Sequence, residues 1–538
     1  MVILLLAMAA VSAQAQRSQS ASQQPASSSA TQGDSAQAAN PPSAAQVGPN
    51  ARPTQQAAPA ERHEGPEPEP VVTHHQMTTR GKTLRYSATT GRLPIKNADG
   101  EIEAYMFFVA YALEGAGKQR PLTFAFNGGP GSSSVWLHMG DIGPKRVKML
   151  PEGGMPAPPY TLEDNPFTWL ELSDLVFIDP VGTGYSRATK KELGKKFWGL
   201  SGDIASVGEF IRLYLTRYER WNAPLFLAGE SYGTTRASGL SGYLIDRGIA
   251  FNGIILISSV LNFETLSFGN GNDLPYVLYL PSYTAAAWFH KKLPADLQAD
   301  LHKAVAAVEQ WIPTYEHALV QGDRLSAQER QATVDQLARF TGLDKSVIEN
   351  NDLRISQPVF SRELLRSQHT IVGRLDSRFT GMDLGQGGGF GYDPSEAAIR
   401  PPYTTLFNNY VRADLGYRSD LEYYILGGGI TEQWDFGPSG NGYPNVTESL
   451  RRAFAKDPYL HLFVAKGYFD MATPFYAADY TVAHLQLDVA SRQNISMAEY
   501  SGGHMMYIRD ADLEGLRNDV FNFMQNALKA PVPHEVGR

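Results

Sequence analysis

The most constraining feature of this sequence is a ten-residue run, Leu225-Phe-Leu-Ala-Gly-Glu-Ser-Tyr-Gly-Thr234. Its first three residues predict a short buried strand, and Gly229-Glu-Ser-Tyr-Gly233 matches the pattern G-x-S-x-G. In that pattern a strand turns sharply into a helix, the serine stands at the corner, and the glycines let strand and helix approach closely. The run predicts Ser231 as a nucleophile, although three fixed positions in five also recur by chance in ordinary turns.

Four apolar segments are spaced at intervals that suit intervening helices. They are residues 122–126, 175–178, 225–227 and 254–257. Strands that alternate with helices form parallel sheets, so the spacing predicts an α/β fold. Before the third segment, apolar residues from Ile204 to Tyr214 recur with helical periodicity, and Ser201 is predicted to cap that helix.

The α/β pattern stops at residue 263 and resumes after residue 403. The interval contains helical patterns at 295–319 and 327–340, which predict a mostly helical cap inserted into one α/β domain formed by 73–262 and 404–530. After the cap, strands are predicted at 461–465 and 495–500, with a helix at 476–487 between them and an amphipathic helix at the end of the chain. Alternation over 82–113 predicts antiparallel hairpins before the mostly parallel central sheet.

The first 72 residues have a different composition from the rest of the chain. Residues 1–15 combine a short apolar run with an Ala-Gln-Ala site, which predicts a signal peptide and export to the periplasm or the medium. No Lys or Arg precedes the apolar run, so either the true start lies upstream or the run is a buried segment. Residues 16–72, rich in Gln, Ser, Ala and Pro, predict a disordered linker because they contain too few large apolar side chains to fold.

Composition excludes several classes of partner and site. The net charge is −8 and the pI is near 5.9, so nucleic acid is not an expected partner. The sequence contains no stretch of about 20 apolar residues, so stable membrane insertion is not expected. The sequence contains no cysteine, which excludes disulfides, thiolate metal sites and a cysteine nucleophile. Nothing in the sequence indicates an oligomeric state.

A nucleophilic serine needs a base to take its proton and a third group to orient that base. Asp470 follows the predicted strand at 461–465, and His504 follows the one at 495–500. Catalytic groups gather at the carboxyl ends of strands in α/β sheets, and the order Ser231, Asp470, His504 is that of α/β-hydrolases. Taken singly, Asp470 also fits a turn acid and His504 a loop histidine, but the combination predicts a catalytic triad.

Two main-chain donors for an oxyanion are also predicted. The run Asn127-Gly-Gly-Pro-Gly-Ser-Ser-Ser134 leaves a predicted strand and offers the N–H of Gly129, which pairs with the N–H of Tyr232. Such donors stabilise the negative charge that develops on a carbonyl oxygen during acyl transfer. The alternative is a glycine-rich turn without a chemical role.

Six motifs together resemble, in the same order, those of the serine carboxypeptidase family. They are N-G-G-P-G-x-S-S at 127–134, N-P-F-T-W at 165–169, D-P-V-G-T-G-Y-S at 179–186, G-E-S-Y-G at 229–233, G-x-x-D-x-x-x-P at 467–474 and G-H-M at 503–505. The resemblance covers roughly residues 100–530. It implies an α/β-hydrolase fold, removal of single residues from peptides with a free C-terminus, and no metal or other cofactor.

The same resemblance implies that Asn127 and Glu230 bind the terminal carboxylate of the substrate and that Met505 lines the pocket for the departing residue. A glutamate and a carboxylate at hydrogen-bond distance must share a proton, which raises the apparent pKa of the pair. Peptide binding is therefore expected to favour acid pH, provided that His504 remains neutral. The alternative for Glu230 is a packed polar residue beside the turn.

This sequence departs from the family pattern at two places. Ser132 replaces a frequent cysteine, and the absence of disulfides points to a bacterial branch. Tyr468 stands where the family commonly has an additional acid. Two other functions remain open: an acyltransferase or esterase on the same fold, and a binding protein whose triad is idle.

Overall fold

The computed structural model describes residues 69–385, 391–437 and 442–529. The predicted signal peptide at 1–15 and the predicted linker up to residue 68 lie outside the described residues. The first strand begins at Val71, two residues before the predicted domain boundary.

The strands of the described residues are assigned in chain order. They are β1 (Val71–Thr79), β2 (Lys82–Lys96), β3 (Ile102–Leu113), β4 (Leu122–Phe126), β5 (Lys145–Val147), β6 (Leu162–Asp164), β7 (Asp174–Ile178), β8 (Arg187–Ala188), β9 (Leu225–Ser231), β10 (Gly253–Ser259), β11 (Thr370–Val372), β12 (Thr380–Met382), β13 (His461–Gly467) and β14 (Ile495–Tyr500). A central sheet has the order β1-β2-β3-β7-β4-β9-β10-β13-β14, with β8 beside β3.

The central sheet combines the two predicted halves. Strands β1 with β2, β2 with β3, and β3 with β7 pair antiparallel, which agrees with the hairpins predicted from the alternation over 82–113. Strands β7, β4, β9, β10, β13 and β14 run parallel. The predicted α/β-hydrolase architecture is confirmed. All parallel strands therefore end at the same edge of the sheet, the edge at which the predicted site residues lie.

The helices of the described residues are also numbered in chain order. They are α1 (Val135–Leu137), α2 (Gly194–Phe197), α3 (Leu200–Arg217), α4 (Tyr232–Ile245), α5 (Leu274–Leu278), α6 (Leu280–Phe289), α7 (Ala295–Gln298), α8 (Leu301–Gln321), α9 (Ala327–Thr341), α10 (Lys345–Asn350), α11 (Gln357–Glu363), α12 (Pro394–Ala413), α13 (Thr447–Lys456), α14 (Phe475–Ala483), α15 (Val489–Gln493) and α16 (Asp510–Ala527). Among these residues, none of the helices has both the length and the apolar character needed to cross a membrane.

Both faces of the sheet are covered, as a largely parallel sheet requires. Alternate residues of β10 enter different clusters: Ile255 and Ile257 pack with α16, whereas Ile254 and Leu256 pack with α3 and α4. A third apolar cluster lies mainly within the insertion, between helices α6, α8 and α9. The insertion thus has a core of its own, together with the short hairpin of β11 and β12.

Two local predictions were wrong. The helix predicted at 295–319 is divided into α7 and α8, because Asp300 is extended and its side chain accepts a hydrogen bond from Lys303 N at 3.2 Å, which starts a new helix. Ser201 does not cap α3. Gly199, which precedes the helix, is held in extended backbone beside Asp435, so the helix begins at Leu200 without a side-chain cap.

A buried ion pair joins α3 to α4 behind the Ser231 turn. Arg236 Nε lies 2.7 Å from Asp203 Oδ2, and both side chains are 1% exposed. Arg236 Nη1 also donates to Asn127 O at 2.6 Å. Because burial is nearly complete, removal of one partner would leave an uncompensated charge.

We therefore expect Arg236→Met to lower the free energy of unfolding by about 3–5 kcal/mol in denaturant titrations. The double variant Asp203→Leu/Arg236→Met should recover much of that loss because no charge then remains buried. Arg212→Met is the matched control, since Arg212 pairs with Glu209 on the exposed face of α3 and should change stability by about 1 kcal/mol or less. Equal effects of Arg236→Met and Arg212→Met would contradict the expectation.

Candidate active site

Ser231 lies at the junction of β9 and α4. Its backbone has φ 59° and ψ −132°, a region that residues with a side chain rarely adopt. The carbonyl of Ser231 accepts a hydrogen bond from Thr234 Oγ1 at 2.7 Å, and Thr234 Oγ1 accepts one from Val260 N. The strained turn is thereby tied to the residue that follows β10.

The turn requires small residues on two sides. A Cβ atom on Gly229 would lie 2.2 Å from Gly233 O, and one on Gly128 would lie 2.3 Å from Tyr232 N. No side chain fits at these distances, so the glycines allow β9, α4 and the loop after β4 to meet. The loop that carries Gly129 is thus packed against the N–H of Tyr232. The two predicted oxyanion donors, the N–H groups of Gly129 and Tyr232, therefore lie on segments that touch each other.

Asp470 and His504 form a direct pair. His504 Nδ1 lies 2.8 Å from Asp470 Oδ2, and both side chains are buried. Asp470 Oδ1 accepts the N–H groups of Ala472 and Thr473 at 2.7 and 2.9 Å, and Thr473 Oγ1 donates to Asp470 Oδ2 at 2.7 Å. These bonds hold the carboxylate in one orientation, with an oxygen directed to the imidazole.

The Asp–His pair and Ser231 approach the same part of the sheet. Ser231 is in register with Ser259 of β10, and the adjacent Ser258 donates from Oγ to His504 O at 2.6 Å. Residues 470 and 504 follow β13 and β14, the next strands beyond β10. The structure therefore brings the three predicted catalytic residues to one edge of the sheet, at the end of β9 and after β13 and β14, with β10 between β9 and β13.

The pKa of His504 reflects opposing effects. Burial lowers it, but the charge and hydrogen bond of Asp470 and the charge of Glu230 raise it, and the net pKa lies above the usual value. Arg374 acts in the opposite direction. The imidazolium that a general base becomes is thus favoured in this site.

Glu230 precedes Ser231 in the chain, and its side chain is buried, at 3% exposure. Burial raises the pKa of its carboxyl to about 7, and the charge of Asp470 contributes in the same direction. His504, a hydrogen bond from the Tyr507 hydroxyl and the side chain of Asn127 act against that increase in pKa. Glu230 is therefore balanced between its protonated and ionised forms near neutral pH.

Asn127 lies next to this carboxyl. Its Oδ1 accepts a hydrogen bond from Leu137 N at 3.0 Å, which fixes the amide. Within the described residues, Asn127 Nδ2 is buried and makes no hydrogen bond of normal length and angle. The amide therefore retains donor capacity beside Glu230.

A second buried acid, Asp141, was missed by the sequence analysis. It lies in a π-helical turn, His138–Ile142, and is fully buried. Burial raises its pKa well above the usual range, and the charge of Glu230 raises it further. Neither carboxyl oxygen has a hydrogen-bond partner of normal geometry among the described residues. An acid inside the apolar run at 135–142 was the sequence signal that could have identified it.

Tyr507 and Thr473 were also missed. Tyr507 follows the 503–505 motif and Thr473 occupies a variable position of the 467–474 motif, and neither residue type distinguishes a site residue from a packed one. Thr473 contacts Asp470 locally, three residues away, whereas the contact of Tyr507 with Glu230 arises only from the fold. Met505, predicted to line a substrate pocket, is buried in the apolar cluster that also contains Tyr507.

A family model described as serine carboxypeptidase matches residues 81–518. Among curated proteins, the pheromone-processing carboxypeptidase KEX1 of Phaeosphaeria nodorum is 30% identical over 192 residues, which cover 34% of this chain and 27% of that protein. Serine carboxypeptidase-like 5 of Arabidopsis thaliana is 28% identical over 153 residues, covering 28% of this chain and 33% of that protein. The chain thus matches about a third or less of the length of these two relatives.

A solved structure, the proline iminopeptidase of Mycobacterium smegmatis, matches at 12% identity with a TM-score of 0.35, covering 82% of this chain and 99% of that one. The family model extends over most of the residues that carry the sheet, the insertion and the site. The match to the family model confirms the resemblance inferred from the six motifs. The chain belongs to the serine carboxypeptidase family.

Proposed function

We propose that this protein is a serine carboxypeptidase that releases C-terminal residues from peptides through an acyl-enzyme. The observation that carries the proposal is the 2.8 Å contact between His504 Nδ1 and Asp470 Oδ2 at the sheet edge where Ser231 occupies a strained turn. This contact holds a proton on Nδ1 and leaves Nε2 as the basic nitrogen.

In the proposed reaction, the Ser231 hydroxyl attacks the last peptide carbonyl and His504 Nε2 accepts its proton. The N–H groups of Gly129 and Tyr232 stabilise the oxyanion, and His504 then protonates the departing amine. Water, deprotonated by His504, then attacks the acyl carbonyl; the bond to Ser231 Oγ breaks, the shortened peptide leaves with a new C-terminal carboxylate, and His504 returns the proton to Ser231 Oγ. Asp470 keeps the imidazole in the required tautomer and stabilises its positive charge.

Recognition of the substrate C-terminus is assigned to Glu230 and Asn127. A buried glutamate with a pKa of about 7 can donate a hydrogen bond to a carboxylate when it is protonated. Asn127 Nδ2, which has no hydrogen bond of normal geometry among the described residues, offers a second donor. Burial raises the pKa of Asp141 well above the usual range, and the charge of Glu230 acts in the same direction.

Glu230 and His504 are electrostatically coupled, which supports activity on the acid side of neutrality. The charge of ionised Glu230 raises the pKa of His504. Protonation of Glu230 removes that charge, so the pKa of His504 falls as the carboxylate site becomes able to bind substrate. The base can therefore remain neutral at a lower pH than with an ionised Glu230.

The triad predicts the behaviour of two variants. We expect Ser231→Ala to abolish both cleavage of a blocked dipeptide and labelling by a serine-directed phosphonate. Asp470→Asn should lower kcat about 10⁴-fold, because the amide no longer selects the productive tautomer of His504. Steady-state kinetics and mass spectrometry of the labelled residue measure these effects.

Asp488→Asn is the control for Asp470→Asn, since Asp488 caps the short helix α15 on the surface and Asn caps as well as Asp. Phosphonate labelling of a residue other than Ser231, or unchanged turnover in Ser231→Ala, would refute the triad. Absence of labelling in the wild-type protein would favour a binding protein with an idle triad.

Glu230→Gln predicts a change in pH dependence. In the wild type, KM for a blocked dipeptide should rise as the pH increases through about 7, because Glu230 loses the proton that binds the substrate carboxylate. The amide of the variant cannot ionise, so its KM should become independent of pH between 6 and 8, a range spanning roughly one unit on each side of that pKa. The acid limb of kcat/KM should stay near its wild-type position, because below about pH 7 the wild-type Glu230 is already protonated and no longer raises the pKa of His504.

An ester substrate without a free carboxylate distinguishes recognition from catalysis. Glu230→Ala should raise KM for the dipeptide about tenfold or more and leave ester hydrolysis within about threefold. Glu448→Gln, on the exposed face of α13, is the matched control. Equal losses on both substrates would contradict carboxylate recognition, and hydrolysis of esters alone would favour the esterase or acyltransferase alternative.

A further inference from the structure

A short segment of the insertion, residues 374–378, lies between the loops that carry Asp470 and His504. We call it the clamp segment. Its main chain accepts hydrogen bonds from both loops: Met471 N donates to Arg374 O at 3.1 Å, and His504 N donates to Leu375 O at 2.6 Å. The residues adjoining the two predicted catalytic side chains are therefore bound to one five-residue strip.

Side chains of the clamp segment add further contacts with both loops. Asp376 Oδ2 accepts from Gly503 N at 3.0 Å, and Ser377 donates to Phe469 O from both N and Oγ, at 2.9 and 3.0 Å. A Cβ atom on Gly503 would lie 2.5 Å from Leu375 O and 2.6 Å from Asp376 Cα. The backbone of the clamp segment therefore lies against Gly503, the residue before His504.

The clamp segment is itself held rigidly. The guanidinium of Arg378 binds both carboxylate oxygens of Asp376, with Nη2 at 2.7 Å from Oδ2. At the start of α12, Asp393 accepts the N–H groups of Arg374 and Leu375, and Ser395 Oγ accepts that of Asp376. Asp376 is 2% exposed, so these bonds are shielded from water.

We propose that Asp376 is a positioning residue, through which the insertion holds the His504 loop in register with the Asp470 loop. The sheet alone ends at Gly467 and Tyr500, so the residues that follow need other contacts to fix their distance. The two loops are joined directly by hydrogen bonds such as Phe469 N to Gly502 O at 3.1 Å. The clamp segment adds hydrogen bonds to each loop. The insertion thus contributes to catalysis besides covering the sheet.

This inference rests on the proposed triad, and the experiment separates the two. Asp376→Ala should lower kcat for the blocked dipeptide about 10²-fold with little change in KM, because a displaced imidazole misaligns the reacting groups without removing a substrate contact. The rate of inactivation by a small fluorophosphonate should fall in the same proportion. Asp376→Asn should recover most of the rate, since the amide oxygen can still accept from Gly503 N.

A spectroscopic readout does not depend on turnover. The proton shared between His504 Nδ1 and Asp470 Oδ2 should give a downfield proton NMR signal in the wild type. That signal should weaken or broaden in Asp376→Ala and return in Asp376→Asn. If Asp376→Ala fails to fold, Ser377→Ala takes its place; it removes only the Oγ bond to Phe469 and should lower kcat about fivefold.

Ser326→Ala is the matched control, since it removes the capping box of α9, a helix of the insertion whose main neighbours are α6, α8 and α10. It should lower the unfolding midpoint and leave kcat within twofold of wild type in the folded temperature range. The positioning role is overturned if Asp376→Ala and Ser377→Ala retain kcat and the downfield signal, or if Ser326→Ala reproduces their loss. An inactive wild type that is not labelled at Ser231 would instead refute the proposed function.

Discussion

The close packing of β9, α4 and the loop after β4 is the constraint on which the site depends. Ser231 occupies a backbone region that costs energy, and the surrounding strand, helix and hydrogen bonds of Thr234 hold it there. The same contacts place the N–H of Tyr232 against Gly128. A single steric arrangement therefore fixes the backbone of Ser231 and brings together the two segments that carry the proposed oxyanion donors.

Buried ionisable groups lie around the Ser231 turn. Glu230 and Asp141 are two buried acids whose pKa values burial raises, to about 7 for Glu230. The charge of Glu230 raises the pKa of both His504 and Asp141, so protonation of one group changes the pKa of its neighbours. Nearby, Arg236 pairs with the buried Asp203 and donates a hydrogen bond to the carbonyl of Asn127. Burial thus raises the pKa of the acids where a carboxylate is proposed to bind, and the buried Asp203–Arg236 pair joins two helices of the scaffold.

The insertion has its own apolar cluster and also contacts the loops that carry Asp470 and His504. Its own apolar cluster stabilises α6, α8 and α9, and its clamp segment reaches the ends of β13 and β14. Parallel strands bring loops to a common edge, but loops need additional contacts to hold side chains within a fraction of an ångström. In the proposed positioning role, the insertion and the sheet both fix the loops that carry Asp470 and His504.

Much of the architecture followed from local patterns: apolar segments at the right spacing predicted the parallel strands, and 495–500 is a strand with the predicted bounds. Periodicity failed at 295–319 and at Ser201, because an Asp300 cap and a contact of Gly199 with Asp435 decide where those helices begin. Neither contact is visible in the apolar pattern.

Motif order by itself determined Ser231, Asp470 and His504 as candidates, since each follows a strand and each residue type has a chemical role. The tertiary structure alone decided how Asp470 meets His504, how far burial shifts the pKa of Glu230, and that Asp141 and Asp376 approach the site. Desolvation and hydrogen-bond geometry depend on atoms from segments far apart in the chain, and these are set only when the whole fold has closed around them.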